Sequence, residues 1–274
     1  MTNAPPVPEQ ILAVALHSYN AGRLAEAEQA CQHLLALLPQ HPAAHQLLAM
    51  LALQREQLAQ ARQHILHSLA PRPDHVPSLI IAGKVAAAEG DAATALAYFD
   101  SAARHQPGMS QAHFHRGNSL SALGRHQEAI QALRQAVALA PEAMEAVLNL
   151  GTALREQGEL PAAREAFEKA VALRPDVAQA WFNLGLARQD LHDAHGAAEA
   201  FAQALHLRPD YADAALNLGV ALQEARRLDD ALQAYRTALR LQPQWYGRIA
   251  HALSAGSTGQ IWLDTRQLEQ ALRG

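Results

Sequence analysis

The chain has 274 residues, half of them hydrophobic but only 5% aromatic, so alanine and leucine supply most of the apolar surface. That mixture suits closely packed helices, since both residues are strong helix formers, and it is enough to bury a sizeable core. A net charge of -4 and a pI of about 6.4 argue against a general nucleic-acid binder, which carries a basic stripe.

The chain opens on "MTNAPPVPEQ". The run Pro5 to Pro8 cannot be helical throughout, so residues 1–7 are expected to form a flexible lead-in. The opening has no basic and then apolar segment of the kind that marks a signal peptide. No apolar run approaches the roughly 20 residues a membrane helix needs. The expectation is a soluble cytoplasmic protein. Cys31 is the single cysteine, so no internal disulfide is possible. The basic residues are 20 Arg and 2 Lys, Lys84 and Lys169, a bias read as that of a GC-rich genome.

Residues 8–245 then restate themselves. Pro39, Pro73, Pro107, Pro141, Pro175, Pro209 and Pro243 stand 34 residues apart, so seven repeats of equal length begin at residues 8, 42, 76, 110, 144, 178 and 212. Position 20 of each is alanine, from Ala27 to Ala231. Position 8 is small: Ala15, Ala49, Gly83, Gly117, Gly151, Gly185 and Gly219. Position 24 is mostly bulky: Cys31, then Ile65, Phe99, Leu133, Phe167, Phe201 and Tyr235. Position 27 is alanine in the last five repeats. The pattern predicts a helix, a turn and a second helix per repeat. Small residues let the helix backbones approach, and the bulky one fills the gap. Gly22, Gly90, Gly124 and Gly158 lie at position 15, where the first helix must stop. Proline at position 32 ends the second. Glu56, His192 and Arg226 replace the turn glycine in the other repeats, which leaves the turn geometry there open. The first two repeats also differ at positions 8 and 27.

Past Pro243 the register fails. Trp245 to Ser254 reads as an amphipathic helix with Tyr246, Ile249, Ala250 and Leu253 on one face. "AGSTG" (Ala255 to Gly259) breaks it. Asp264 is placed to cap a last short helix with Gln267, and Ile261, Trp262 and Leu263 to fold back on the cap. Residues 246–274 are thus read as a capping helix and tail, the tail either closing the stack or docking another protein.

A 34-residue period with these positions resembles the tetratricopeptide repeat. The resemblance implies an all-α, right-handed superhelical solenoid of seven helix-turn-helix repeats with a carboxy-terminal capping helix. One repeat alone cannot bury its apolar face, and stacking buries it against the neighbours.

Catalytic and metal chemistry find little support in the residues. Of fifteen histidines, His192 and His195 have helical spacing but lie at a turn, and His41 and His45 straddle a repeat boundary. There is no HExxH, no GxSxG, and no GxGxxG after a strand, so no metal, cofactor or intrinsic catalysis is expected. Cys31 sits at a packing position.

The first helices offer more. In stacks of this kind they line the concave surface through positions 2, 5, 6, 9, 12 and 13. Position 6 holds Asn149, Asn183 and Asn217, preceded by His115. An amide has one acceptor and two donors, and so can bond an extended peptide backbone without reading its side chains. This ladder resembles the inner groove of the tetratricopeptide region of O-GlcNAc transferases. It is equally compatible with asparagines that tie adjacent helices together. The chaperone carboxylate clamp is not matched: Asn118 and Asn149 stand at its asparagine positions, but Phe114, Gln179 and Asn183 stand where it needs cations. Glu145, Asp213 and neighbouring acids, with Phe114 and Phe182 as apolar spots and Arg155 as an exception, favour an extended peptide with basic and apolar residues. The expected function is a non-catalytic scaffold that binds a protein or peptide, and not nucleic acid or membrane. The alternative is a recruiting subunit for a glycosyltransferase or other modifying enzyme. Self-association through the stack ends is a further possibility.

Overall fold

A computed structural model of the chain describes residues 7–255 and Leu272. Among the described residues there is no strand. The chain divides into two compact halves, residues 1–140 and 141–274. The amino-terminal half holds four helical hairpins: α1 (Pro8–Asn20) with α2 (Leu24–Leu37), α3 (Pro42–Gln54) with α4 (Leu58–Leu69), α5 (Val76–Ala88) with α6 (Ala92–His105), and α7 (Ser110–Ala122) with α8 (His126–Leu139). The carboxy-terminal half holds three: α9 (Met144–Glu156) with α10 (Leu160–Leu173), α11 (Ala178–Asp190) with α12 (Ala194–Leu207), and α13 (Ala212–Glu224) with α14 (Leu228–Leu241). A 3-10 turn (Pro243–Trp245) then leads into α15 (Tyr246–Ala255).

The helix boundaries follow the repeat. Every first helix begins at position 1 and every second helix at position 17. The second helices end at position 30, two residues before the periodic proline. The exception is α4, which stops at Leu69 because Pro71 offers no backbone N–H to continue it.

The turns are uniform as well. Gly22, Gly90, Gly124 and Gly158 have φ between 72° and 82°, and Glu56, His192 and Arg226 adopt φ of 59°, 61° and 60° at the same position. The turn therefore keeps its left-handed residue whether or not that residue is glycine. A side chain there carries a steric cost of about 1–2 kcal/mol, partly offset because glycine loses more freedom on folding. His192→Gly is expected to stabilise the protein by about 0.5–1 kcal/mol, read as a higher denaturant midpoint at unchanged slope.

Packing inside a hairpin is a contact between positions 8 and 24. A Cβ built on Gly151 would lie 2.6 Å from the Phe167 ring. Gly83 faces Phe99 at 2.5 Å, Gly185 faces Phe201 at 2.6 Å, Gly219 faces Tyr235 at 2.5 Å, and Gly117 faces Leu133 at 2.6 Å. The glycine therefore admits a side chain from the second helix of its own repeat, where close approach of backbones was expected. In the first two repeats the seat is Ala15 or Ala49 and the residue at position 24 is Cys31 or Ile65, all fully buried or nearly so. Where position 8 gains a methyl group, position 24 has no ring. Position 20 alanines are buried without exposure in all seven repeats.

After the last repeat α15 packs against α13, with Ile249 and Leu253 buried. Position 24 of the last repeat is Tyr235, whose hydroxyl donates to Gln223 Oε1 at 2.9 Å. The Gln223 amide donates in turn to the Ala252 carbonyl in α15 at 3.0 Å. One buried side-chain pair thus joins α13, α14 and the cap, and it satisfies a carbonyl near the end of α15. The expected placements of Ile261, Trp262, Leu263, Asp264 and Gln267 lie outside the described residues.

Candidate functional site

In the carboxy-terminal half the first helices α9, α11 and α13 bring Asn149, Asn183 and Asn217 to equivalent places, each half-buried. Residues four apart share a helix face, and this organises the asparagines. The Tyr211 hydroxyl donates to Gln179 Oε1 at 2.9 Å, and Gln179 Nε2 donates to Asn183 Oδ1 at 3.0 Å. Burial raises the Tyr211 phenol above its ordinary value, so it stays a donor. The relay leaves the Asn183 amide hydrogens as its outer end. Asn217 is turned the other way: its Nδ2 donates to the Asp213 carbonyl at 2.9 Å, which leaves Oδ1 as the outer atom. The bonds of Asn183 and Asn217 run along their own helices, so neither amide directly bridges two helices.

Phe182 is half-buried beside these amides, 4.8 Å from the Tyr211 ring and 5.6 Å from the Phe201 ring. The Arg208 guanidinium lies 3.4 Å over Tyr211, a cation held on an aromatic face. Tyr211 was not among the residues expected here. Its only signal is an aromatic at the last position of a repeat, immediately before a first helix. Glu145 and Asp213 are exposed on α9 and α13. Arg155 is not an isolated cation: its Nε bonds Asp190 Oδ2 in the next first helix at 2.6 Å. That pair ties α9 to α11 and removes one acid from the net charge of the face.

The other expected residues lie in the amino-terminal half. His115 stacks on Phe99 with ring centroids 5.0 Å apart, and Phe114 is tilted against it at 5.1 Å. Burial, reinforced by the Lys84 charge, pushes the His115 imidazole down to about 4, so it is neutral at pH 7. Its Nε2 is buried without a partner among the described residues. His115 thus keeps the register of the asparagines but has the role of a stacked ring. Asn118 is half-buried one turn further along α7.

A second histidine group escaped the spacing argument because its members come from two helices. His45 on α3 has Nε2 3.0 Å from the Pro39 carbonyl and Nδ1 3.0 Å from His64 Nδ1 on α4, and its ring stacks on His67 with centroids 4.8 Å apart. A carbonyl only accepts, so Nε2 of His45 carries hydrogen. Its Nδ1, when the ring is neutral, accepts from His64 Nδ1–H. His113 and Trp181 at the same repeat position also reach the carbonyl of the preceding periodic proline, Pro107 and Pro175, each at 2.9 Å. Burial lowers the pKa of both His45 and His64. For His45 the bond to the Pro39 carbonyl opposes this and the His67 and His41 charges add to it; for His64 the His45 and His67 charges add to it and Glu28 opposes. The unfolded chain therefore takes up protons first as pH falls below about 6.5. Stability is full above that value and declines as pH drops toward the folded-state values. Thermal melting followed from pH 7.5 to 5 should show this decline, and His64→Gln, which keeps a donor but does not titrate, should flatten it. Among the described residues no group of three or more His, Cys, Asp or Glu side chains is arranged to hold a metal ion, and no helix is long and apolar enough to cross a membrane.

Comparison with known proteins places the repeats. A tetratricopeptide repeat model matches residues 82–144, 116–178, 148–188 and 182–244, and a second such model matches residues 19–79. Among solved structures, the chain resembles the crystal structure of MamA with 25% identity and a TM-score of 0.57, over 59% of this chain and 95% of that one. It also resembles YrrB, described as a TPR protein with an unusual peptide-binding site, with 22% identity and a TM-score of 0.62, over 71% of this chain and 98% of that one. A third is pilF of Pseudomonas aeruginosa, with 21% identity and a TM-score of 0.66, over 77% of this chain and 96% of that one. No match was found among curated proteins.

Proposed function

This chain belongs to the tetratricopeptide repeat family, and on that premise we propose that it is a non-catalytic scaffold that holds an extended peptide segment of a partner protein on its first helices. The observation that carries the reading is the orientation of two amides in equivalent places. Asn183 ends a donor relay with its hydrogens outward, and Asn217 has its oxygen outward. An extended backbone alternates carbonyl and N–H groups, and so supplies the complement of each. Phe182 and Tyr211 beside the amides offer apolar and aromatic contact for a side chain, and Glu145 and Asp213 favour a segment with basic residues. The peptide-binding site named for YrrB is a property of that protein and supports the reading by similarity of fold. The resemblance of the asparagine ladder to O-GlcNAc transferases supports a narrower version, in which the segment is presented to a modifying enzyme.

The test is positional. A photo-reactive residue at position 183 or 217 is expected to crosslink to the partner. The same residue at exposed Glu199, on the second helix α12, is expected not to. Crosslinking confined to position 199 would place recognition on the opposite set of helices and overturn the reading.

A further inference from the structure

Position 4 of the repeat reaches back to the carbonyl of the preceding periodic proline in three places, through His45, His113 and Trp181. The second repeat differs in what the other side of the ring meets. The Trp181 ring has no second nitrogen, and His113 Nδ1 is buried without a partner among the described residues. His45 Nδ1 instead lies 3.0 Å from His64 Nδ1 on α4, and His67 is stacked on the buried His45 ring. At the start of α3, His41 Nδ1 accepts from the Ala44 N–H at 3.3 Å. The charged and titratable groups that act on the His45–His64 pair from outside are His41, His67, and Glu28 on α2, which Arg55 holds at 2.7 Å. None of them belongs to α1 or α5.

The pair tolerates one proton and not two. When both rings are neutral, His64 Nδ1–H donates to the His45 lone pair. A first proton taken at His64 Nε2 leaves that bond in place and makes it charge-assisted. A second must go to His45 Nδ1, and two N–H groups then face each other across 3.0 Å with like charges behind them. His45 has to leave its seat, and the Pro39 carbonyl loses its donor. Protonating His41 Nδ1 removes the cap of α3 at the same junction. In this chain the first repeat packs on one neighbouring repeat only, so it opens at the cost of a single interface. We propose that the junction of the first two repeats is an acid-sensitive catch: with His45 and His64 both charged, the α1–α2 hairpin comes away from α3 while the following repeats stay folded. Opening uncovers Cys31 and Leu34 of α2 and Leu47 and Leu48 of α3, which share one buried cluster. The catch is independent of the peptide-binding reading.

Cys31, the single thiol of the chain, reports the opening. It is fully buried, and burial with the Glu28 charge pushes its pKa up to about 11. Labelling of the full chain by 4,4′-dithiodipyridine is followed from pH 7.5 to 5, each rate taken relative to the denatured chain at the same pH. Released imidazoles take up protons below about pH 6.5, ahead of the buried pair. Relative labelling is therefore expected to rise by about tenfold or more as pH falls. His64→Gln keeps the donor and leaves one ring to titrate, and His45→Leu copies Leu79 at the same position of the third repeat. Each is expected to lose the rise. His113→Gln, which removes a ring that binds a proline carbonyl without a second imidazole, is expected to keep it. A wild-type rate that does not change with pH, or a rise that survives in either folded variant at 45 or 64, overturns the catch. Hydrogen exchange in α8 separates a local opening from a general one. His115 gives that region a pH dependence of its own, so exchange in α8 at pH 5 is expected to be the same in His64→Gln as in the wild type. Slower exchange there in the variant, in step with slower labelling of Cys31, would show the half opening as one body and overturn the local catch.

Discussion

Gly151→Leu is expected to destabilise the carboxy-terminal half by about 3 kcal/mol or more, at the upper end of overpacking effects. Even the first added carbon lies 2.6 Å from the Phe167 ring, well inside van der Waals contact, and three more carbons follow. Phe167 is 1% exposed and has nowhere to turn. The more informative experiment is a cycle built from the protein's own solution. The second repeat pairs Ala49 with Ile65, so Gly151→Ala with Phe167→Ile copies a seat that already exists in the same fold. Gly151→Ala alone should cost about 1–3 kcal/mol of overpacking, reduced by the better helix propensity of alanine. Phe167→Ile alone should leave a void and lose packing. The double variant should be more stable than the sum of the singles by about 1 kcal/mol or more. Additive effects in urea denaturation would show that the two positions do not form the unit proposed for them.

Alanine at Asn149, Asn183 and Asn217 together is expected to weaken partner binding by roughly 10- to 1000-fold, at about 0.5–1.5 kcal/mol per lost hydrogen bond and about 1.4 kcal/mol per factor of ten. Folding should be spared. The bonds of Asn183 and Asn217 are to Gln179 and Asp213 one turn back on the same helix, and alanine is the better helix former by several tenths of a kcal/mol per site. If instead the amides were structural ties, melting temperature would fall first and affinity only as a consequence. Unfolding and partner affinity measured on the same variant separate the two outcomes. A folded triple variant with native affinity removes the asparagines from recognition and shifts attention to Phe182, Tyr211 and the exposed acids.

The local chemistry of single residues determined the repeat, its register and the ends of its helices. Proline lacks an N–H wherever it stands, so α4 ends early at Leu69, two residues before Pro71, by the same rule that ends the other second helices two residues before position 32. The buried face of α15 was legible in part for a similar reason: helical spacing selects Tyr246, Ile249, Ala250 and Leu253, of which Ile249 and Leu253 are buried and the other two half-buried. Other features depend on which surfaces meet across the fold, and no spacing rule reports them. The conservative turn at Glu56, His192 and Arg226 is one: hairpin packing on both sides imposes a left-handed residue that their side chains disfavour. The seat of position 24 in position 8 is another, since residues 16 apart in sequence meet only after the hairpin closes. Arg155 and Asp190 are 35 residues apart and pair only because α9 and α11 stand side by side. The tautomer of His45 is set by a carbonyl at Pro39 and a ring at His64, brought together from a loop and a neighbouring helix. The asparagines were visible as a register, but the outward atoms of Asn183 and Asn217 were fixed by Tyr211, Gln179 and Asp213. A hydrogen-bonding side chain takes its direction from its neighbours, and only the tertiary structure says who they are.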